Sequence, residues 1–491
     1  MRRLLRCLQF TTLGLLSLLG AKAEGQSEGP WNILLITADD LGCDSVGAFG
    51  GRVVGATPSI DRLAESGMRF ERAHVAVAVC QPSRQCLMTG TFPQANGSVG
   101  FYPLKAAAVT LPQMLQSEGY LLGILGKVDH LQPTAKFPWD FERSGAQLGA
   151  GRDPERYYAQ TRAFLARAKG EGRPFFLMAN SHDPHRPFSG AEGELRQLAR
   201  WERKGAREDD SGALPVFPAP SRVFSPDEIA VPGFLPDLPE IRKELAQYYS
   251  SVRRCDDTVG RILQALDDEG LRERTIIVFL SDNGIAVPFA KSNCYLASTR
   301  TPLIVSWPGR VKAGSVERDH FVSAVDLLPT VLDALGKPVP AGLHGSSFLP
   351  LLQGQRQVGR ELVFTVYNET SAKIRYEMRA VQDRRFGYVF NAWSDGRKAY
   401  RAESMEGLTF RAMQAAAKED PAIAQRVELW LHRVPEELYD LSADPDCTVN
   451  LVGDSRYADD LQRLRANLAR WLAETGDTLA ARVPGVTAKR E

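Results

Sequence analysis

Asn32-Ile-Leu-Leu-Ile-Thr-Ala38 is an almost unbroken apolar run that stops at two carboxylates, Asp39-Asp40. The pattern returns three times. Leu121-Leu-Gly-Ile-Leu125 leads into Gly126-Lys127-Val128-Asp129-His130, and Pro174-Phe-Phe-Leu-Met-Ala-Asn180 leads into Ser181-His182-Asp183-Pro184-His185-Arg186. Thr275-Ile-Ile-Val-Phe-Leu280 leads into Ser281-Asp282-Asn283-Gly284. A strand with one wet face alternates apolar and polar residues. Short continuous apolar runs are strands covered on both faces, which means a parallel sheet between helices. Open α/β sheets bind ligands at the carboxyl ends of their strands. Four runs each ending in ionisable residues therefore predict one convergent site, drawn from distant parts of the chain.

Helices fall between the runs. Thr57–Gly67 has Pro58 just inside its start and a glycine at its close. Ile241–Leu266 places Leu245, Tyr248, Val252, Val259, Ile262 and Leu266 at helical spacing, a stripe for the core. A further helix is predicted around Asp326–Leu335. Residues 189–238 interrupt the alternation, charged first and then proline-rich. Following the His182 loop directly, this insert is expected to shape the pocket mouth. Near residue 360 a smaller unit begins, with strands at 361–366 and 386–391 and a closing helix at 459–472.

The chain has 491 residues, 44% hydrophobic and 24% charged, with a net charge of +1. That length favours two domains, and the charge balance calls for neither nucleic acid nor an anionic membrane as partner. Arg2, Arg3 and Arg6, the apolar stretch Leu13–Leu19 and Ala21-Lys22-Ala23 have the layout of a cleavable signal over residues 1–23. Export is expected, to periplasm or medium, or to a lysosome in a eukaryote; no run is long enough to span a bilayer. Of seven cysteines, Cys7 leaves with the signal, and the remainder are too sparse for a disulfide scaffold, although one bridge is possible. Asn96-Gly-Ser and Asn368-Glu-Thr are glycosylation sequons, meaningful in a eukaryotic secretory host.

The chemistry is declared at Cys80-Gln81-Pro82-Ser83-Arg84, continued by Gln85-Cys86-Leu87-Met88-Thr89-Gly90. Pro82 suits the first turn of a helix and Gly90 its end, so the helix would aim free N–H groups and its positive end at an anion. The stretch resembles the C-x-P-S-R signature of the type I sulfatases. That resemblance covers nearly the whole mature chain. It implies an alkaline-phosphatase-like α/β catalytic domain (24–360), with a mostly parallel central sheet flanked by helices. A smaller C-terminal α+β domain with an antiparallel sheet (361–491) would complete the pocket. It also implies that a formylglycine-generating enzyme oxidises Cys80 to formylglycine, whose hydrate attacks the sulfur of a sulfate ester.

Asp39, Asp40, Asp282 and Asn283, with the oxygen at position 80, match the family's metal site residue by residue. Hard divalent cations want such oxygens, and so many protein ligands favour calcium over magnesium. Arg84 matches the arginine that supports the formylglycine, and Lys127 the lysine of the Gly-Lys motif. Lys291 falls where relatives carry a basic sulfate contact, and His182 is the general acid for the departing group. Family members read Gly-Lys-x-His, whereas this chain reads Gly126-Lys127-Val128-Asp129-His130. Either His130 reaches back through a bulge, the favoured reading, or Asp129 takes part of its role.

Phe175-Phe-Leu, His182-Asp-Pro-His-Arg186, Ser281-Asp-Asn-Gly-Ile285, Asn293-Cys-Tyr295 and Met378-Arg-Ala-Val381 are similar to the sulfamidase (N-sulfoglucosamine sulfohydrolase) branch. Tyr367-Asn-Glu-Thr-Ser371 differs from that branch, where paired histidines and a glutamate are expected. His185, Arg379 and Glu369 are the candidate sugar contacts. The expected substrate is a sulfated saccharide of the glycosaminoglycan type, carrying an N-sulfate on glucosamine or an O-sulfate on another polysaccharide. The alternatives are a phosphodiesterase or phosphonate monoester hydrolase of the same superfamily, and a sulfated-glycan binder in which Cys80 stays a thiol. Oligomeric state is not legible.

Overall fold

The four apolar runs become four adjacent strands. The computed structural model describes residues 29–194, 196 and 217–485. In it, Asn32–Asp39 (β1), Met68–Phe70 (β2), Leu121–Leu125 (β3), Phe141–Arg143 (β4), Phe175–Pro184 (β5), Thr275–Ser281 (β6), Leu303–Ser306 (β7) and Ser315–Glu317 (β8) form one eight-stranded sheet. Its order is β4-β3-β5-β1-β6-β7-β2-β8, and only β7 runs against the rest. The runs read from sequence are its contiguous centre, β3-β5-β1-β6.

Register explains why these strands are apolar throughout. Ile33 lies opposite Phe176 and Ile276, and Leu35 opposite Met178 and Val278. Successive side chains point to opposite faces, and here each face meets its own core. Leu34, Ile36, Leu177 and Ile277 join one cluster with Tyr248, Val252 and Val259 of the long helix Pro239–Asp268. Ile33, Leu35, Phe176 and Met178 join another with Leu87 and Met88 of helix Cys80–Thr89 and Leu328 and Val331 of helix Leu327–Ala334. A polar residue on either face needs a buried partner, as Thr37 and Asn180 find in each other at the site end, so alternation is absent.

The helix expected at 57–67 spans Pro58–Glu65, and the closing helix spans Ala458–Glu474. Val363–Glu369 (β9), Arg375–Gln382 (β10), Phe386–Asn391 (β11) and Glu436–Asp440 (β12) form a separate antiparallel sheet. Its outer face packs Val381, Tyr388 and Leu438 on Leu461, Leu464 and Leu468 of the closing helix. Its inner face sends Tyr367, Met378 and Ala380 into the first cluster of the main sheet. From Trp31 onward the described residues form one compact unit.

The expected signal and part of the insert (195 and 197–216) lie outside the described residues. Further along the insert, Ala230–Phe234 line a cavity of about 410 Å³ with Gly42, Cys43, Tyr248 and Arg300, and none of the site residues named above lines it. The six described cysteines are buried free thiols. Both sequons are buried. The Asn96 amide is spent on Thr89 and the Thr91 carbonyl, and Asn368 accepts from Arg379, so neither is an open glycan acceptor. Among the described residues no helix is long and apolar enough to cross a membrane.

Candidate active site

The carboxyl ends of β1, β3, β5 and β6 converge on the amino end of helix Cys80–Thr89. Cys80 is the first helical residue, Pro82 lies in the first turn, and Gly90 closes the helix at φ 65°. All ten residues of this helix are buried, an unusual setting for Gln81, Ser83, Arg84 and Gln85 that a site explains and a core does not.

Asp39 and Asp40 end β1 with no solvent exposure. Asp40 holds φ at 65°, a left-handed conformation that costs a non-glycine residue about 1 kcal/mol or more. The turn is stitched to the end of β6. Asp40 N donates to Asp282 Oδ1 at 3.2 Å, Leu41 N to Ser281 Oγ at 3.0 Å, and Asn283 Nδ2 to Asp40 Oδ1 at 2.7 Å. Gly284 allows this approach: a Cβ there would stand 2.1 Å from the Ala297 carbonyl oxygen and 2.6 Å from that of Ala290.

Three cations are buried against these acids. Lys127 pairs with Asp39, Arg84 with Asp282 at 2.7 Å, and Lys291 with Asp40 at 2.8 Å. Arg84 Nη1 also donates to Thr37 Oγ1 and Asn180 Oδ1 at 2.6 and 2.7 Å, which anchors it to the β1–β5 seam. His182 Nδ1 lies 3.8 Å from Asp39 Oδ2, and His185 Nε2 lies 3.8 Å from Asp40 Oδ2. The rings of the two histidines are 4.9 Å apart. Their loop is held from below, where Asp183 takes both buried guanidiniums, Arg152 and Arg254, and Arg152 also binds the His185 carbonyl at 2.8 Å.

The residue inserted before His130 is absorbed by local geometry. Gly126 and Lys127 both take positive φ, and Val128–His130 form a 3-10 turn. Asp129 is exposed, while His130 turns inward with a buried Nδ1. Burial, with Lys127 beside it, holds the His130 imidazole down to about 2. The same causes, Arg152 added, keep His182 well below its ordinary value.

The residues present fit a hard cation. Asp39 Oδ1 and Asn283 Oδ1 are buried and accept no hydrogen bond, an expensive state unless something else coordinates them. Ligand atoms of Asp39, Asp40, Cys80 and His185 lie within 4.8 Å of one another. Carboxylates are crowded enough that burial, with Asp39 and Asp40 adding to it, pushes Asp282 up. A divalent cation would relieve that repulsion, and the donor set is rich in oxygen, as hard ions require. The Cys80 thiol is pushed well above its ordinary value by burial and then by Asp39, so it is not a thiolate.

Of the candidate sugar contacts, His185 faces the acids. Arg379 does not fit the role, because its guanidinium is buried and committed to Asp477 at 2.6 Å, Asn368 at 2.9 Å and two backbone carbonyls. An alternating strand pattern does not reveal that such an arginine braces the sheet. Glu369 is buried over Gly100 with Oε1 unpaired. One residue was missed. Glu403 lies 2.9 Å from Lys291 and 3.4 Å from the His185 ring, and although burial opposes its charge, Lys291 and His185 hold its carboxyl down to about 2. It sits in Arg401-Ala-Glu-Ser-Met405, with no motif around it.

Comparison with known proteins follows the same lines. A family model described as Sulfatase matches residues 31–337, and one described as N-sulphoglucosamine sulphohydrolase, C-terminal, matches residues 286–395. Human N-sulphoglucosamine sulphohydrolase is 34% identical over 483 residues, covering 93% of each chain. The solved protein BT4656, in complex with its substrate D-glucosamine-2-N,6-O-disulfate, superposes with a TM-score of 0.67 at 20% identity, over 91% of this chain and 99% of that one. The phosphonate monoester hydrolase of Agrobacterium radiobacter shares the fold with a TM-score of 0.62 at 20% identity, over 91% and 96%.

Proposed function

The chain belongs to the sulfatase family, and on that premise we propose that this hydrolase desulfates saccharides, with the N-sulfate of a glucosamine unit as its substrate. The observation that carries the reading is the setting of Cys80. A thiol held protonated among carboxylates is a poor nucleophile, yet the loops of four strands are spent on surrounding it. Conversion to formylglycine would supply a hydroxyl nucleophile there, and a divalent cation, calcium by its oxygen-rich donors, held by Asp39, Asp40, Asp282 and Asn283 would supply Lewis acidity at a sulfate oxygen.

The remaining work falls to fixed side chains. Lys127 and Lys291 sit on either side of the acid pair, placed to take the charge that builds on the sulfate oxygens. Arg84, tied to Thr37, Asn180 and Asp282, keeps the amino end of the helix in register with β1. His182 stands at the more open side, with its side chain 32% exposed, where it can hand a proton to the departing sugar atom. An incoming sulfate carries the negative charge that offsets Lys127 and Arg152 and lets that imidazole hold its proton.

The test is a desulfation panel of N-sulfoglucosamine, O-sulfated saccharides, an aryl sulfate and an aryl phosphodiester. Sulfate release should be fastest from the N-sulfated sugar. Faster release from an O-sulfated one moves the assignment to that polysaccharide, and turnover of the phosphodiester alone overturns it. Peptide mass spectrometry across Cys80 checks the maturation step, and an unmodified thiol in active preparations would count against it. Export is proposed on the layout of residues 1–23, and amino-terminal sequencing of protein made in its own host tests cleavage after Ala23.

A further inference from the structure

Glu403 comes from the turn Glu403–Met405, 112 residues beyond Lys291. That turn is built into the site. The Tyr400 hydroxyl donates to the carbonyl of Ser292, next to Lys291, and Tyr400 packs edge-on against Trp430 and Tyr376. Just past the turn, Leu408 N and Thr409 N donate to the buried Glu244 carboxylate at 2.9 and 2.7 Å.

The Lys291 ammonium, with no solvent exposure, is forked between Asp40 Oδ2 at 2.8 Å and Glu403 Oε2 at 2.9 Å. A lysine is a point charge on a flexible stem, aimed only by its acceptors. With Asp40 as its sole acceptor the pair would close on itself, and an ammonium would occupy the carboxylate that a cation needs. A second carboxylate draws the ammonium outward and shares its charge. The other oxygen of Glu403 lies 3.4 Å from His185 Nε2, whose Nδ1 donates to the Arg186 carbonyl at 2.6 Å. The imidazole is thus anchored on backbone through one nitrogen, with the other facing Glu403.

We propose that Glu403 is a positioning residue of this active site, holding Lys291 and His185 in place and leaving Asp40 available to a divalent cation. The turnover arm of its test rests on the function proposed above; the cation arm does not. Full-length wild type, Glu403→Ala, Glu403→Gln and the control Glu406→Gln, an exposed glutamate beside the same turn, are compared. Calcium affinity of the metal-stripped proteins is measured by titration calorimetry, and kcat and KM on N-sulfoglucosamine by sulfate release.

Glu403→Ala should lose about 10- to 100-fold in calcium affinity and a similar factor in kcat, as partners behind a ligand shell do, with KM nearly unchanged. Glu403→Gln keeps an oxygen acceptor for Lys291 and should recover part of both losses. Glu406→Gln should match wild type. Wild-type affinity and kcat in Glu403→Ala would overturn the proposal, as would a rise in KM alone, which marks a substrate contact. Equal damage in the Gln and Ala variants also overturns it, since the oxygen acceptor that Gln retains would then position nothing, and so does a wild type that binds no calcium. Near-isosteric Gln guards against misfolding. A wild type inactive on every sulfated compound removes the functional reading, while the calorimetry still decides Glu403.

Discussion

At Cys80 the thiol is buried at the start of a helix, between acids that keep it protonated. Cys80→Ala should cut turnover by about 10⁴-fold or more while leaving the melting temperature within a few degrees, because the side chain lost is small; appreciable residual turnover would mean that another group attacks. His182 makes a sharper prediction. A proton donor matters most when the leaving atom is basic, so His182→Ala should cost about 10²-fold or more on a sugar N-sulfate and much less on an aryl sulfate. Equal losses on the two substrates would remove His182 as the acid. That the turns carrying Asp39, Asp40, Asp282 and Asn283 would meet was legible because acids and amides stand where apolar strands stop. Glu403 was not, because its meaning lies in Lys291 and His185, which are near it only in space. Arg379 was misread for the mirror reason: Asp477, which holds it, is 98 residues away.

Among the elements, helix Pro58–Glu65 is tied to the long helix Pro239–Asp268 by one carboxylate. Asp256 accepts from Ser59 N and Ile60 N, at 2.8 to 3.0 Å, and burial pushes it up to about 6. Its folded state therefore binds a proton more tightly than the unfolded chain. The associated stability is fully present below the unfolded value near 4 and fades as pH rises through about 6. Asp256→Asn, which cannot ionise, should gain on wild type over that window by up to about 3 kcal/mol, read from urea unfolding at pH 4, 5, 6 and 7. A difference that stays flat would show that Asp256 does not titrate there. Gly284 marks the opposite limit. The atoms a Cβ would meet are backbone carbonyls that cannot retreat, so Gly284→Ala should cost about 1–3 kcal/mol and weaken the Asp40–Asn283 junction, measured as a loss of both melting temperature and calcium affinity. The strand positions were readable from burial on both faces. His130 was expected to reach back through a bulge, but the 3-10 turn that does this was not readable, because it depends on positive φ at Lys127, a residue with no intrinsic preference for it.

For the molecule as a whole, a cation at this site would bridge turns that sequence separates by some 240 residues, Asp40 to Asp282 and Asn283. Binding only to the folded state, calcium at about 100 times its dissociation constant should add about 2.7 kcal/mol of stability. Calorimetric melting with calcium and with chelator should differ accordingly, and Asp39→Asn/Asp40→Asn should abolish the difference; an unchanged melting temperature in wild type would argue against a resident ion. Local pattern was enough to establish a two-faced parallel sheet, the helices that cover it, and a family signature at Cys80, because burial on both faces leaves these strands continuously apolar and the signature is itself a contiguous string. Which cations neutralise which acids, the closure of Asn96 and Asn368, and the reach of Glu403 came from the folded chain alone. Each of those is a contact between residues whose neighbours in sequence carry no trace of it, and electrostatic pairing depends on distance in space.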